Sequence, residues 1–218
     1  MRIITGKYRG RTIIGPKSNV TRPITDRAKQ SLFDALVVAV DFTDMNALDC
    51  FSGTGSMGLE CLSRGAAKSI FVEQDYDALQ ALRNNLRQLG VIHAHYDVLA
   101  MNAYSLAHAP AVVTDRIRAP RGAVDVGRLR LAFIDPPYAH LADPAGRVRV
   151  SSLVLALTYT AMEPTGLFVV RHSVDNPLDD LPIGTMICRR LNYGSMAVTW
   201  LAAENAPPCD KAATALTI

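Results

Sequence analysis

Residues 48–58 read Leu48-Asp49-Cys50-Phe51-Ser52-Gly53-Thr54-Gly55-Ser56-Met57-Gly58, and what flanks them decides the fold. Met45–Phe51 reads as a short strand, and Leu59–Ser63 as a helix that Gly65 stops. G-x-G-x-x-G is a weak signal by itself and becomes informative between a strand and a helix, where it opens a nucleotide-type loop. Downstream, Lys68–Val72 is a second strand closing on Glu73, Tyr76–Leu89 a helix stopped by Gly90, and Val91–Tyr96 a third strand ending at Asp97. This alternation predicts a doubly wound α/β domain, because right-handed crossovers lay the strands parallel and put helices on both faces.

Further on, Leu131-Ala132-Phe133-Ile134 predicts a buried fourth strand, and Asp135-Pro136-Pro137-Tyr138 ends it. The prolines fix φ and remove a donor, which holds a carboxylate, the Pro136 carbonyl and an aromatic ring at the strand's carboxyl end. The connection from His108 to Arg130, broken by Pro and Gly and carrying arginines 116, 118, 121, 128 and 130, is expected to be a long basic loop. Ser151–Met162 reads as a helix and Gly166–Arg171 as a fifth strand. Thr185–Leu191 and Met196–Leu201 flank Asn192-Tyr193-Gly194-Ser195 as an antiparallel hairpin on the sheet edge. The Ala/Pro-rich tail from Ala203 is expected to be disordered.

An acid at the end of the second strand, Glu73, can receive the two hydroxyls of a ribose, so the glycine loop suits an adenosine-containing cofactor. A nicotinamide dinucleotide would bring a pyrophosphate, which an acid beside the loop repels. S-adenosylmethionine brings an ammonium and a sulfonium, which an acid attracts. Asp49 therefore favours S-adenosylmethionine. The candidate cofactor residues are Asp49 near the methionine end, Phe51, Gly53 and Gly55 in the loop, Glu73 on the ribose and Asp97 near the adenine amine; no metal is expected.

Ligands of open α/β sheets lie beyond the carboxyl ends of the strands at the switch in strand order, so Asp135 is expected to face Asp49. An exocyclic base amine is a poor nucleophile because its lone pair is delocalised. Acceptance of its two N–H groups by the Asp135 carboxylate and the Pro136 carbonyl, with Tyr138 stacked on the base, would aim that lone pair at a methyl group. Asp135, Pro136 and Tyr138 are the candidate catalytic residues, and the target base must be unpaired or flipped out.

The 218 residues are 49% hydrophobic and 20% charged, ordinary for a globular chain, and no run of about 18 apolar residues is present to span a bilayer. Met1–Gly6 lacks the features of a signal peptide, so a cytoplasmic location is expected; the expected state is a monomer. The four cysteines form no C-x-x-C pair, and neither a disulfide nor zinc is expected. The net charge of +3 is unevenly spread: residues 1–30 hold eight basic residues against Asp26 alone, which leaves the remainder net acidic. A basic arm on an acidic body suggests a polyanionic partner, nucleic acid first. Lys7, Tyr8, Arg9 and Arg11 in a small hairpin, with Arg22 and Arg27 around a helix capped by Thr25 or Asp26, are the candidate RNA-binding residues, Tyr8 as a stacking platform.

Gly6-Lys7-Tyr8-Arg9-Gly10-Arg11, Arg22-Pro23-Ile24-Thr25-Asp26-Arg27, Leu48–Glu60, Leu62-Ser63-Arg64-Gly65-Ala66 and Phe133–Tyr138 stand together in an order that resembles the RsmD-like methyltransferases. The resemblance implies a Rossmann-like class I S-adenosylmethionine-dependent methyltransferase with a mostly parallel seven-stranded sheet, an antiparallel C-terminal hairpin, and a small N-terminal hairpin and helix. It implies methyl transfer to the guanine N2 amine of 16S ribosomal RNA, within a 30S particle or assembly intermediate. The expected organisation is an extension over residues 1–40, the methyltransferase domain over 41–202 and the tail over 203–218. The rival readings are a DNA adenine or cytosine amino-methyltransferase, disfavoured for want of a DNA-reading domain; a nicotinamide oxidoreductase, which leaves Asp49 and the Pro-Pro turn unexplained; and a non-catalytic RNA-binding assembly factor.

Overall fold

In the computed structural model, which describes residues 1–15, 24–117, 127–179 and 184–206, the chain divides into two compact units between Ala103 and Tyr104. The first opens with two extended flanks that run antiparallel around the turn at Gly6–Arg11. Arg2 bridges Thr12, with Ile3 N–H donating to Arg11 O (3.0 Å) and Gly10 N–H to Ile3 O (2.8 Å). Helix α1 (Asp26–Ala39) follows, capped by the Thr25 hydroxyl, which accepts from Ala28 N–H, and it buries Ala28, Leu32, Phe33 and Leu36. Then come β1 (Asn46–Cys50), α2 (Ser56–Ser63), β2 (Lys68–Glu73), α3 (Tyr76–Leu89) and β3 (Tyr96–Ala100), with the strands parallel in the order β3-β2-β1. Helix α3 shows both expected end signals: Asp75 accepts from Ala78 N–H, and Gly90 leaves the helix at φ 68°.

A buried charge cluster ties the arm to this layer. Glu60 on α2 accepts from the Ile4 and Thr5 N–H groups at 2.8 and 3.0 Å and from Arg64 Nε at 3.0 Å. Lys29 Nζ lies 3.9 Å from Glu60 and donates to Arg2 O (2.6 Å) and Ser56 Oγ (3.1 Å). The Lys29 and Glu60 side chains are 0% exposed. Lys29, counted in the basic arm by sequence, is thus interior, and burial pushes its ammonium down while Glu60 pulls it back up.

The second unit contains α4 (Ala111–Ile117), β4 (Leu129–Ile134), α5 (Tyr138–Ala142), α6 (Pro144–Thr160), β5 (Met162–Ser173), β6 (Thr185–Tyr193) and β7 (Met196–Ala203). Strand β4 runs parallel to β5, with Leu131 opposite Leu167 and Ile134 opposite Val170; β5 pairs antiparallel with β7, and β7 with β6. The order is therefore β4-β5-β7-β6, and the C-terminal hairpin is as expected. Both units alternate parallel strands with helices, and the second closes with the antiparallel hairpin.

Four expectations need correction. The third strand starts at Tyr96, because Val91 and Ile92 are spent as connector and His93–His95 form a 3-10 turn on the way back to the sheet's amino edge. Helix α6 begins at Pro144, where Asp143 caps it by accepting from Gly146 N–H at 3.0 Å. The 108–130 connection holds α4, anchored by buried Val113 and Ile117, while residues 118–126 and 207–218 lie outside the described residues. Cys188 is disulfide-bonded, although Cys50 and Cys61 are free and buried. A disulfide requires proximity in space, which a search for C-x-x-C cannot detect. No helix among the described residues is long and apolar enough to cross a membrane.

Candidate active site: a cofactor loop and an amine clamp

At the end of β1 the backbone turns left-handed three times: Phe51 has φ 58°, Gly53 φ 54° and Gly55 φ 81°. For a bulky residue such as Phe51 this is a strained conformation, of a kind that clusters at functional sites. A Cβ on Gly55 would lie 2.4 Å from Leu82 Cδ1, so that glycine is required by packing as well as by φ. A Cβ on Gly53 would meet nothing within 4 Å, which leaves open space on that side of the loop.

Two acids brace the loop. Asp49, 2% exposed, accepts from Gly58 N–H in the first turn of α2 at 2.9 Å. Glu73, at the carboxyl end of β2, accepts from Gly53 N–H through Oε2 (2.8 Å) and from the Gln74 and Asp75 N–H groups through Oε1 (2.8 and 2.9 Å). Asp49 is thus both a negative charge beneath the loop and a tie that fixes α2 to β1. Residues 49–58 carry three glycines, two of them left-handed, and no Lys or Arg, so this donor set fits a cofactor with a cationic end and a ribose better than a pyrophosphate.

Asp97 was expected past the end of the third strand and is not there. It is the second residue of β3, opposite Ile70, whereas Glu73 is opposite Ala100. Three residues of strand separate those levels, about 10 Å. Its carboxylate pairs with Lys68 Nζ at 2.8 Å, a structural role at the amino edge of the sheet. The residues that do reach the carboxyl end are Met101, whose N–H donates to Glu73 O at 2.9 Å, and exposed Asn102.

In the second unit, β4 delivers Asp135 directly past its last residue. Pro136 is buried, Pro137 caps α5 with φ −50° and its carbonyl accepts from His140 N–H (2.8 Å), and Tyr138 is the first helical residue. The Asp135 side chain is 22% exposed. Arg171, unremarked in the sequence, reaches it from β5: Nε stands 2.7 Å from Asp135 Oδ1, and Cζ lies 5.8 Å from the Tyr138 ring centroid. The legible signal was a charge placed directly after the apolar run Leu167–Val170. Nearby in the same unit, Tyr104 Oη and His140 Nδ1 are 3.0 Å apart and Arg149 lies over the Tyr104 ring. Burial pushes the Tyr104 phenol up to about 12 against the pull of Arg149.

Of the candidate RNA-binding residues, Lys7, Arg9, Arg11 and Arg27 are exposed, and Arg22 lies outside the described residues. Tyr8 is a correction: it is 8% exposed, its N–H donates to Ser63 Oγ at 2.9 Å, and Lys7 sits over its ring, so it packs the arm against α2 instead of offering a free face. Arg11 Nη2 donates to Gln88 O at the end of α3 (2.7 Å), a helix that also carries exposed Arg83 and Arg87. Those two arginines were missed because a helical i, i+4 charge pair reads as an ordinary solvated face.

A family model described as "Conserved hypothetical protein 95" matches residues 1–202. The chain belongs to that family, the RsmD family. Among its relatives, the Bacillus subtilis protein YlbH is 31% identical over 198 residues, covering 91% of this chain and 96% of the relative. The "Ribosomal RNA small subunit methyltransferase D" of Escherichia coli K12 is 31% identical over 203 residues, covering 90% and 87%. The solved structure of the Escherichia coli protein yhhF superposes with a TM-score of 0.71 at 29% identity, covering 94% of this chain and 98% of that one. The RsmD-family chain is accordingly a methyltransferase of Rossmann-like fold, and its cofactor is S-adenosylmethionine.

Proposed function

We propose that this protein methylates the exocyclic N2 amine of a guanine in small-subunit (16S) ribosomal RNA. The observation that carries the reading is Asp135 set at the mouth of β4 by a buried proline, with Tyr138 opening the next helix, in a chain of this family. The name of the Escherichia coli relative supports ribosomal RNA as the substrate class. S-adenosylmethionine, when bound, supplies a methyl carbon made electrophilic by the sulfonium. Glu73 holds the ribose hydroxyls, Gly53 and Gly55 allow the backbone to close on the cofactor, Phe51 shapes the turn, and Asp49 supplies charge for the cationic end.

Asp135 accepts one N–H of the target amine and the Pro136 carbonyl accepts the other, so the nitrogen pyramidalises and its lone pair is withdrawn from conjugation with the ring; Tyr138 stacks on the base. Asp135 is also the acceptor for the proton that the alkylated amine releases. Lys7, Arg9, Arg11 and Arg27, joined by Arg83 and Arg87, pair with phosphates and bring the RNA to the site. In this reading residues 1–40 grip RNA and residues 41–202 carry the chemistry, as a monomer in the cytoplasm on rRNA within a 30S particle. Incubation with labelled S-adenosylmethionine and 30S particles, naked 16S rRNA or duplex DNA, followed by mapping of the modified base, tests it. Label on a guanine N2 of 16S rRNA is expected; label confined to DNA would overturn the assignment.

A further inference from the structure

Arg171 is a nearly buried charge for which the reaction above has no use. Strand β5 buries Leu167 to Val170, and a polar residue directly after such a run needs a partner. The register supplies one. Ile134 stands opposite Val170, so Asp135 and Arg171 follow at the same level on neighbouring parallel strands. Only 13% of the Arg171 side chain is exposed; its Nε is 2.7 Å from Asp135 Oδ1 and its Cζ 5.8 Å from the Tyr138 ring centroid. One guanidinium therefore touches both ends of Asp135-Pro136-Pro137-Tyr138.

We infer that Arg171 is the positioning residue of the amine clamp. The terminal torsion of an aspartate is broad, so an unheld carboxylate samples many orientations. A guanidinium nitrogen 2.7 Å from Oδ1 restricts that rotation and holds the carboxylate at the strand end. Against Tyr138 the guanidinium occupies one face of the ring, so the base stacks on the other. Arginine suits the task because it stays charged when buried and its planar fork spans two partners.

The inference rests on reading Asp135 as the amine acceptor, and the test separates the two. Full-length wild type, Arg171→Met, Asp135→Asn and the double variant are assayed for single-turnover methyl transfer to 16S rRNA in 30S particles, alongside cofactor affinity and thermal midpoint. Arg171→Met is expected to lower turnover about 100-fold, the scale of a small misplacement at a reacting centre, with cofactor affinity within about 2-fold of wild type. Because Arg171 acts through Asp135, the double variant should be no slower than Asp135→Asn alone. Arg171→Lys keeps the cation without the fork and should recover part of the turnover; it also stands in if Arg171→Met does not fold. Losses that multiply in the double variant, or a lowered thermal midpoint with unchanged turnover, would overturn the role of Arg171. Full turnover in Asp135→Asn would instead remove the clamp itself.

Discussion

Glu60→Gln is the most informative single change outside the chemistry, because one carboxylate holds the arm, α1 and α2 together. Glutamine is isosteric, so no cavity opens and only charge and one acceptor are removed. In the native protein the two oxygens receive Ile4 N–H, Thr5 N–H and Arg64 Nε, with Lys29 Nζ at 3.9 Å. In the variant one position becomes an NH2 group that faces a backbone N–H, and two cations are left in a buried site without their anion. Breaking a buried ion pair from one side costs about 3–5 kcal/mol, while the retained oxygen still accepts, so a loss of about 3 kcal/mol is expected. For a chain of this length that lowers the melting midpoint by roughly 6–12 °C.

Urea unfolding read by two probes measures the loss, and amide exchange at Ile4 and Thr5 reports whether the arm loosens first. Burial already pushes the Lys29 ammonium down, and Glu60 is the main pull in the other direction. Without Glu60 the neutral amine is favoured further in the folded state, so the stability deficit should shrink as pH rises through that lowered value. A loss below about 1 kcal/mol, or exchange at Ile4 and Thr5 unchanged from wild type, refutes the assignment of Glu60 as the tie.

Three further outcomes follow from the same structure. His172 is buried between Ser173 O and Thr199 Oγ1, each 2.8 Å from a ring nitrogen, and burial holds its pKa below the usual value. The unfolded chain then takes up a proton that the folded one refuses, so stability should fall as pH drops below about 6.5; His172→Gln should flatten that part of a urea-midpoint profile, and an unaltered slope counts against it. Asp97→Asn weakens a partly exposed pair with Lys68, so cofactor affinity should stay within about 2-fold and stability within about 1 kcal/mol; a large rise in the cofactor Kd would return Asp97 to the adenine site. Reversing Arg9 and Arg11 to Glu should weaken RNA binding and lower the salt slope by about one for each phosphate no longer neutralised, whereas an unchanged slope marks the arm as a solvated surface.

Much of the candidate site lies at strand ends, and strand ends are what local pattern shows best. Asp49, Gly53, Gly55 and Glu73 stand where the alternation of apolar runs and glycines put them, and Asp135-Pro136-Pro137-Tyr138 ends β4 as its prolines require. Asp97 was misplaced because an apolar run after Gly90 serves equally as connector or strand; which it becomes depends on where a parallel strand must re-enter the sheet. Tyr8 illustrates a similar limit. Its basic, glycine-rich surroundings look like a nucleic-acid loop from either side, and only its burial in the folded chain shows that its ring faces inward.

By itself, then, the sequence determined the fold class, the glycine loop, the Asp135–Tyr138 strand end and the uneven charge, because each is written in neighbouring residues whose backbone preferences and periodicity are local. The tertiary structure alone decided which charges are interior and what they hold. Lys29 comes from α1 and Glu60 from α2, and Arg171 meets Asp135 only because β5 lies in register beside β4. Pairings of that kind depend on strand register and helix docking, long-range properties that residue order does not display.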